Sequence, residues 1–230
     1  MLVRQKGERF FFIGGLLLTA IVVAGFLPPA FLRPSGVLSV PLLYHVHGLV
    51  FLSWFLLFSC QAKLILGQNK SLHRRLGQSS LLVATAMIVL GYFMIRAAFS
   101  NPEFSIGGNG AVASTLYPVT DMVNFSIAFA LGYVNRTNGV AHKRLMLLAG
   151  ILILDPAIAR LVETIGAPFP LIPIIELCLF ASLIGYDFLK LGRPHWTSLL
   201  GLALFFLAMA AKLILAQHPL WADFAVFAFG

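Results

Sequence analysis

Seven long apolar stretches dominate this sequence, and they constrain its fold more than any other feature. Each stretch is close to the roughly 20 residues that an α-helix needs to cross the hydrocarbon core of a bilayer. The sequence therefore predicts an all-α fold, a bundle of seven transmembrane helices. The stretches cover residues 10–27, 40–62, 79–98, 116–134, 144–165, 170–189 and 198–215.

Arginine and lysine collect in every second gap between these stretches. Twelve basic residues lie at the N-terminus and in alternate loops, against four on the other side. Because loops rich in Lys and Arg stay in the cytoplasm, the pattern predicts a cytoplasmic N-terminus and an external C-terminus. The twelve are Arg4, Lys6, Arg9, Lys63, Lys70, Arg74, Arg75, Arg136, Lys143, Arg144, Lys190 and Arg193, and the four are Arg33, Arg96, Arg160 and Lys212.

The composition excludes a water-soluble protein. Apolar residues make up 60% of the chain and charged residues 10%, and the mean hydropathy is +0.93. The loops are short, so we expect residues 1–230 to form a single multi-pass membrane domain in contact with the lipid bilayer, with an uncleaved first helix. The net charge of +8 does not indicate a nucleic-acid partner, because a basic cytoplasmic rim facing anionic lipid headgroups accounts for it.

Three loops on the basic side resemble one another. Each combines a histidine with basic residues just before an outward-going helix, and these histidines are His73, His142 and His195. The preceding helix carries a polar residue near its outer start. The pattern predicts one leading helix followed by three helical hairpins of similar design.

Ionisable side chains gather in the outer half of the predicted bundle, where each one needs a partner or a function. Histidine with carboxylates is a ligand set for zinc, iron or manganese. A metal there would act on a lipid-like or small substrate, with Asp155, Glu176 and Arg160 as catalytic groups. The alternatives are a proton relay in a transporter, a structural subunit, and a buried network in which Arg160 pairs with Asp155 or Glu163. The candidate metal ligands are His45, His47, Asp121, Asp155 and Glu176.

Helix geometry restricts this site. His45 and His47 are two residues apart, about 200° around a regular helix, so only an irregular helix start would turn both inward. Of the two, we expect His45 to be the ligand. Pro156 follows Asp155 and predicts a kink that frees the carbonyl near position 152. Lys212 lies near the outer end of the last stretch, and we expect its ammonium to extend to the membrane surface.

The histidines on the basic side offer a second kind of site. His73 and His142 begin two helices near the inner surface, where a pair of histidines can ligate haem b axially. Such a pair would make the chain an electron-transfer protein. The neighbouring Arg and Lys residues favour another role for these histidines, contact with lipid headgroups.

One run of residues resembles a known family. His45 lies near the start of a helix, Gln61 lies near its end, and Leu72-His73-Arg74-Arg75-Leu76-Gly77 follows. This pattern resembles a large family of small bacterial polytopic membrane proteins of unknown function. It distantly resembles the transmembrane cytochromes b, whose histidines on alternate helices share haems. The resemblance implies a location in the bacterial cytoplasmic membrane. The sequence departs from the cytochrome pattern at Asp121 and Asn124, where a histidine partner for His45 would stand.

Overall fold

The computed structural model describes the backbone of residues 2–31 and 40–230 and the side chains of residues 8–27 and 40–230. Across these ranges the chain is helical, with short turns and one isolated bridge between Ile106 and Asn109. The helices are α1 Leu2–Phe31, α2 Leu42–Leu66, α3 Lys70–Phe99, α4 Ala111–Ser114, α5 Leu116–Val134, α6 Gly139–Ile151, α7 Asp155–Thr164, α8 Leu171–Leu191, α9 Trp196–Leu215 and α10 Pro219–Phe229, with a 3-10 turn at Asn135–Thr137.

Several of these helices have the length and hydropathy of membrane spans. Five qualify by themselves, namely Glu8–Leu27 within α1, and α2, α3, α8 and α9, and the bent pair α6–α7 qualifies as a sixth. The 19-residue helix α5 occupies the fourth predicted stretch but is less apolar, because it contains Asp121 and Asn124. The chain therefore has the helices of a multi-pass membrane protein, as the sequence predicted.

Contacts between distant residues define two ends of the bundle. Lys143 Nζ lies 3.0 Å from Glu8 Oε1, which joins the start of α6 to the N-terminal part of α1. Far from this pair, Gln217 Nε2 donates to Asn109 Oδ1 over 2.6 Å. We call the end where α2, α5 and α8 finish and α3, α6 and α9 begin the basic end, and the other the opposite end.

Side-chain caps begin the three helices that leave the basic end. Asn69 accepts a hydrogen bond from the Leu72 N–H at the start of α3, and Asn138 caps α6 in the same way. At α9 the cap is His195 itself, whose ring accepts from the Thr197 N–H. Polar caps satisfy backbone N–H groups that have no partner within the helix. The similar loops noticed in the sequence thus share a capped helix start. His73 and His142 each lie four residues after the capping asparagine, whereas His195 is itself the cap.

The helix predicted across residues 144–165 is divided in two. It begins earlier, at Gly139, and breaks between α6 and α7, which meet at an angle of 43°. Pro156 lies in the first turn of α7, where its missing N–H costs no hydrogen bond. Residues 152–154 at the break are buried. The kink predicted at Asp155-Pro156 is therefore a break that places Asp155 at the first position of a new helix.

The apolar helix α10 was not among the predicted stretches. Its Trp221, Ala225 and Phe229 pack with Ile95 of α3 near the opposite end. Tyr92 Oη also donates to the Ala228 carbonyl oxygen over 3.0 Å. With 11 residues, α10 is too short to cross a bilayer at about 1.5 Å per residue. It runs back alongside α3 instead.

A close helix crossing depends on Gly25. A Cβ atom at this position would collide with the backbone carbonyl oxygen of Ala157 in α7, and backbone atoms cannot move aside as a side chain can.

We expect Gly25→Ala to lower the free energy of unfolding by about 1–3 kcal/mol, measured by denaturation in mixed micelles. Gly185→Ala in α8 is the matched control, because a Cβ there meets open space. This control should be neutral or stabilising by up to about 1 kcal/mol. Equal losses in both variants would contradict the assigned crossing.

Candidate functional site

Lys212 lies at the centre of a buried charge cluster. Its Nζ is 2.9 Å from Asp121 Oδ1 and 2.7 Å from Asp155 Oδ2, and only 8% of its side chain is exposed. The expectation that Lys212 extends to the membrane surface was therefore wrong. Its ammonium turns inward because it forms strong, charge-assisted hydrogen bonds with two carboxylates there.

Three helices and one helix break bring these groups together. Asp121 is in the second turn of α5, Lys212 is in the last turn of α9, and Asp155 opens α7 directly after the break. Asn124 lies one turn beyond Asp121 and donates to the Leu204 carbonyl oxygen over 3.3 Å, which ties α5 to α9. The contacts of Lys212 lie towards the opposite end, and the bond from Asn124 to Leu204 lies near the middle of the bundle.

Glu176 of α8 completes what we call the Lys212 cluster, with Asp121, Asp155 and Lys212. Its side chain is buried and lines a cavity of about 10 Å³ together with Asp121, Asn124 and Lys212. A space of this size holds about one water molecule. Within the described side chains, no hydrogen bond or ion pair to the Glu176 carboxyl is found. The cluster therefore combines one ammonium, two carboxylates bound to it and a third carboxyl beside a water-sized space.

The other residues predicted for this site lie elsewhere. Arg160 Nη1 donates to the Pro156 carbonyl oxygen over 3.1 Å, and its guanidinium lies 4.6 Å from the centre of the Phe26 ring. His45 and His47 are both half-buried. The His47 ring packs on Phe51, one turn further along the same helix, at 4.1 Å, and its Nδ1 is buried without a hydrogen-bond partner among the described residues.

No three His, Cys, Asp or Glu side chains come close enough to hold a metal ion among those at residues 8–27 and 40–230. The structure brings Asp121, Asp155 and Glu176 together but does not add His45 or His47 to them. Metal binding stays a prediction, which elemental analysis of the purified protein tests directly.

His73 and His142 do meet at the basic end. Their ring centres are 6.3 Å apart and their planes are nearly perpendicular. His142 Nδ1 donates to the Gly132 carbonyl oxygen over 2.8 Å, which leaves Nε2 of that ring without the proton. Proximity of two histidines is one requirement of the haem alternative. Haem binding stays a prediction, and an absorption spectrum with or without a Soret band tests it.

Three of the residues that carried the family resemblance, Gln61, His73 and Gly77, contact one another. With its amide oxygen placed 2.8 Å from the Gly77 N–H, Gln61 donates to the backbone oxygen of His73 and to its Nδ1. Gln61 and His73 belong to consecutive antiparallel helices, α2 and α3. Since these bonds join the two helices, the spacing from Gln61 to Gly77 has a structural explanation.

A second buried ion pair lies nearer the basic end, and the sequence did not predict it. Arg144 Nη2 is 2.6 Å from Asp187 Oδ1, with side-chain exposures of 2% and 0%. Asp187 Oδ2 also accepts from the His195 N–H over 2.9 Å and from Ser198 Oγ over 2.6 Å. In the sequence, Arg144 groups with the cytoplasmic basic residues, at the start of a predicted stretch. In the structure α6 begins five residues earlier, at Gly139, and Asp187 lies four residues before the end of α8, so both residues are interior.

His195 is oriented by the same turn. Burial, with the nearby Arg144 guanidinium acting in the same direction, lowers the pKa of the His195 imidazole below its ordinary 6.5. Its Nδ1 accepts from the Thr197 N–H over 3.3 Å and lies 2.7 Å from Thr197 Oγ1. The proton of the neutral ring is therefore on Nε2, where it remains available as a hydrogen-bond donor.

No protein-family model, no curated protein and no solved structure matches the chain.

Proposed function

We propose that this protein moves protons at the Lys212 cluster, as the proton-coupled step of a membrane transporter. The observation that carries the proposal is Glu176, a buried carboxyl beside a water-sized cavity and next to an ammonium that two other carboxylates already bind. Ionisable groups within membrane helices are costly and commonly mark proton or ion pathways.

The charge balance of the cluster favours proton uptake. Three carboxyls and one ammonium carry a net charge of −2 when all are ionised. In a medium of low dielectric constant, an unpaired carboxyl group has a lower free energy when it is protonated than when it is buried as an ion. A bound water can then connect Glu176 with Asp121 and Lys212, and protons can move among the carboxyls.

The break between α6 and α7 supports a transporter over a static network. In many transporters, discontinuous helices near the middle of the membrane form the site for substrate and coupling ion. Here Asp155 opens α7 directly after the break and binds Lys212. Movement of α7 relative to α6 would change the distance between these two charges, which couples the charge state of the cluster to helix position.

An apolar layer separates the Lys212 cluster from the basic end. The rings of Phe180 and Phe205 lie 5.4 Å apart, and both residues and Leu183 are buried. These side chains lie between Glu176 and Asp187 along α8 and between Ser198 and Lys212 along α9, so they would hinder proton transfer from the cluster to the basic end. Alternating-access transport requires a barrier of this kind on one side of the site.

The Lys212 ammonium also bears on the metal hypothesis. It lies between Asp121 and Asp155, within hydrogen-bond distance of each, and supplies the positive charge that a metal ion would bring. A divalent cation bound to the same oxygens would meet electrostatic repulsion from the ammonium. For these carboxylates, proton transfer fits the residues present better than metal-assisted chemistry does.

We further propose that α5 crosses the membrane as a seventh span, with the basic end in the cytoplasm. Its 19 residues are long enough to cross the hydrocarbon core, and its polar Asp121 and Asn124 have partners on α9. Paired polar groups face the interior of a bundle at far less cost than unpaired groups facing lipid. The excess of basic residues at that end supports the orientation.

The test is proton flux into vesicles that contain the purified protein. A pH-sensitive dye inside the vesicles reports the flux, and a potassium gradient with valinomycin sets the membrane potential. We expect Glu176→Gln, which keeps the shape but cannot ionise, to slow the protein-dependent flux by about 100-fold.

Glu163→Gln is the matched control, since Glu163 is an exposed carboxyl on α7. It should leave the flux unchanged. The proposal fails if equal amounts of the wild-type protein and Glu176→Gln give equal flux, or if the wild type is no faster than vesicles without protein.

A further inference from the structure

A second cavity lies at the basic end. It has a volume of about 490 Å³ and lies beside the turn that joins α8 to α9. This volume is in the range of ordinary small-molecule sites. The residues lining it are Val140, Leu191, Arg193, Pro194, His195, Trp196 and Leu199.

The walls of this cavity are held in place by the buried ion pair beneath it. Asp187 accepts hydrogen bonds from Arg144 and from the His195 backbone N–H, so the turn is fixed to the bundle interior. Gly192 ends α8 with a φ of 70°, a left-handed conformation that side chains with a Cβ rarely adopt. The chain reverses sharply there and presents Arg193 at the cavity.

The lining divides into a polar part and an apolar part. Arg193 supplies a guanidinium, and His195 offers its Nε2 proton, while none of the seven lining residues is acidic. Val140 and Leu199 supply apolar surface, with exposures of 42% and 50%. Trp196 is 50% exposed at the first position of a membrane helix, where tryptophan commonly lies at the level of lipid headgroups.

We propose that this cavity binds the headgroup of an anionic phospholipid, with Arg193 on the phosphate and Val140, Leu199 and Trp196 against the glycerol and upper acyl chains. A guanidinium pairs with phosphate through two parallel hydrogen bonds. Free phosphate would use the same guanidinium, but it would leave the exposed apolar surface uncovered. The position at the end of two membrane helices places that surface beside lipid.

Native mass spectrometry of the full chain in a nonionic detergent tests this site. Phosphatidylglycerol and phosphatidylcholine are titrated separately, and the affinity for the first bound lipid is measured. We expect phosphatidylglycerol to bind at least about fivefold more tightly, and we expect Arg193→Gln to remove that preference. Val140→Trp, which fills the cavity without changing charge, should weaken both lipids.

Arg75→Gln is the control, because Arg75 is an exposed basic residue at the same end and does not line the cavity. It should leave the preference intact. Equal binding of the two lipids by the wild type would overturn the proposal, as would equal losses in Arg193→Gln and Arg75→Gln. Displacement of phosphatidylglycerol by inorganic phosphate would instead assign the cavity to the free anion.

Discussion

Replacing Arg144 with leucine is expected to lower the free energy of unfolding by about 3–5 kcal/mol. The side chain is fully buried, and its loss would leave Asp187 as a carboxylate with no positive partner in the interior. Such an uncompensated charge is far more costly than the ion pair is stabilising. Denaturation in mixed micelles of an anionic and a nonionic detergent gives the free energy.

The adjacent residue provides the control. Lys143 pairs with Glu8, but the side-chain exposures are 24% and 18%, and partly solvated pairs contribute at most about 1 kcal/mol. Lys143→Leu should therefore cost much less than Arg144→Leu. In the double variant Arg144→Leu with Asp187→Asn, the buried charge is gone, and most of the lost stability should return. Equal costs at positions 143 and 144, or no recovery in the double variant, would contradict the buried pair.

Replacing Lys212 with methionine is expected to destabilise the fold by a similar amount, about 3–5 kcal/mol, because two carboxylates lose the same partner. Asp121 and Asp155 would then face each other across a space without a positive charge. Adding Asp121→Asn and Asp155→Asn removes both negative charges and should restore most of the stability, measured by the same denaturation.

This triple variant also separates folding from function. It should be folded, yet it should not move protons in the vesicle assay, since Glu176 alone would remain of the titratable groups in the cluster. If the triple variant carried wild-type flux, the ion pair would be a structural element only, and the proton path would lie elsewhere. If it stayed as unstable as Lys212→Met, the assigned contacts of Lys212 would be wrong.

The two ion-pair sites share α8 and α9 but lie at different depths. Along α8, Glu176 and Asp187 are 11 residues apart, about 16 Å at the rise of an α-helix. Along α9, Ser198 and Lys212 are 14 residues apart, about 21 Å. Each site places one buried cation against carboxylates from neighbouring helices. This arrangement gives the bundle a polar layer towards each end and an apolar layer between them.

Much of the architecture was predictable from the sequence, because hydrophobic segments of bilayer length leave a chain few alternatives. The all-helical fold, the multi-pass character and the disturbance at Asp155-Pro156 followed from hydropathy and from the covalent chemistry of proline. Asp121, Asp155 and Glu176, which the sequence pattern placed in one half of the bundle, lie near one another around Lys212. The helix α10 was not predicted, because 11 apolar residues are too few to indicate a membrane span.

The sequence by itself determined which segments are helical, how polar groups are distributed along them and where one helix must break, since these depend on local residue order. Only the tertiary structure decided which charges are partners. Lys212 looked like a surface lysine, and Arg144 looked like one of several loop cations. Each proved to be interior because carboxylates from other helices, 43 to 91 residues away in the chain, meet it there. Ion pairing depends on which helix faces turn towards one another, and hydropathy along a single chain carries no information about that rotation.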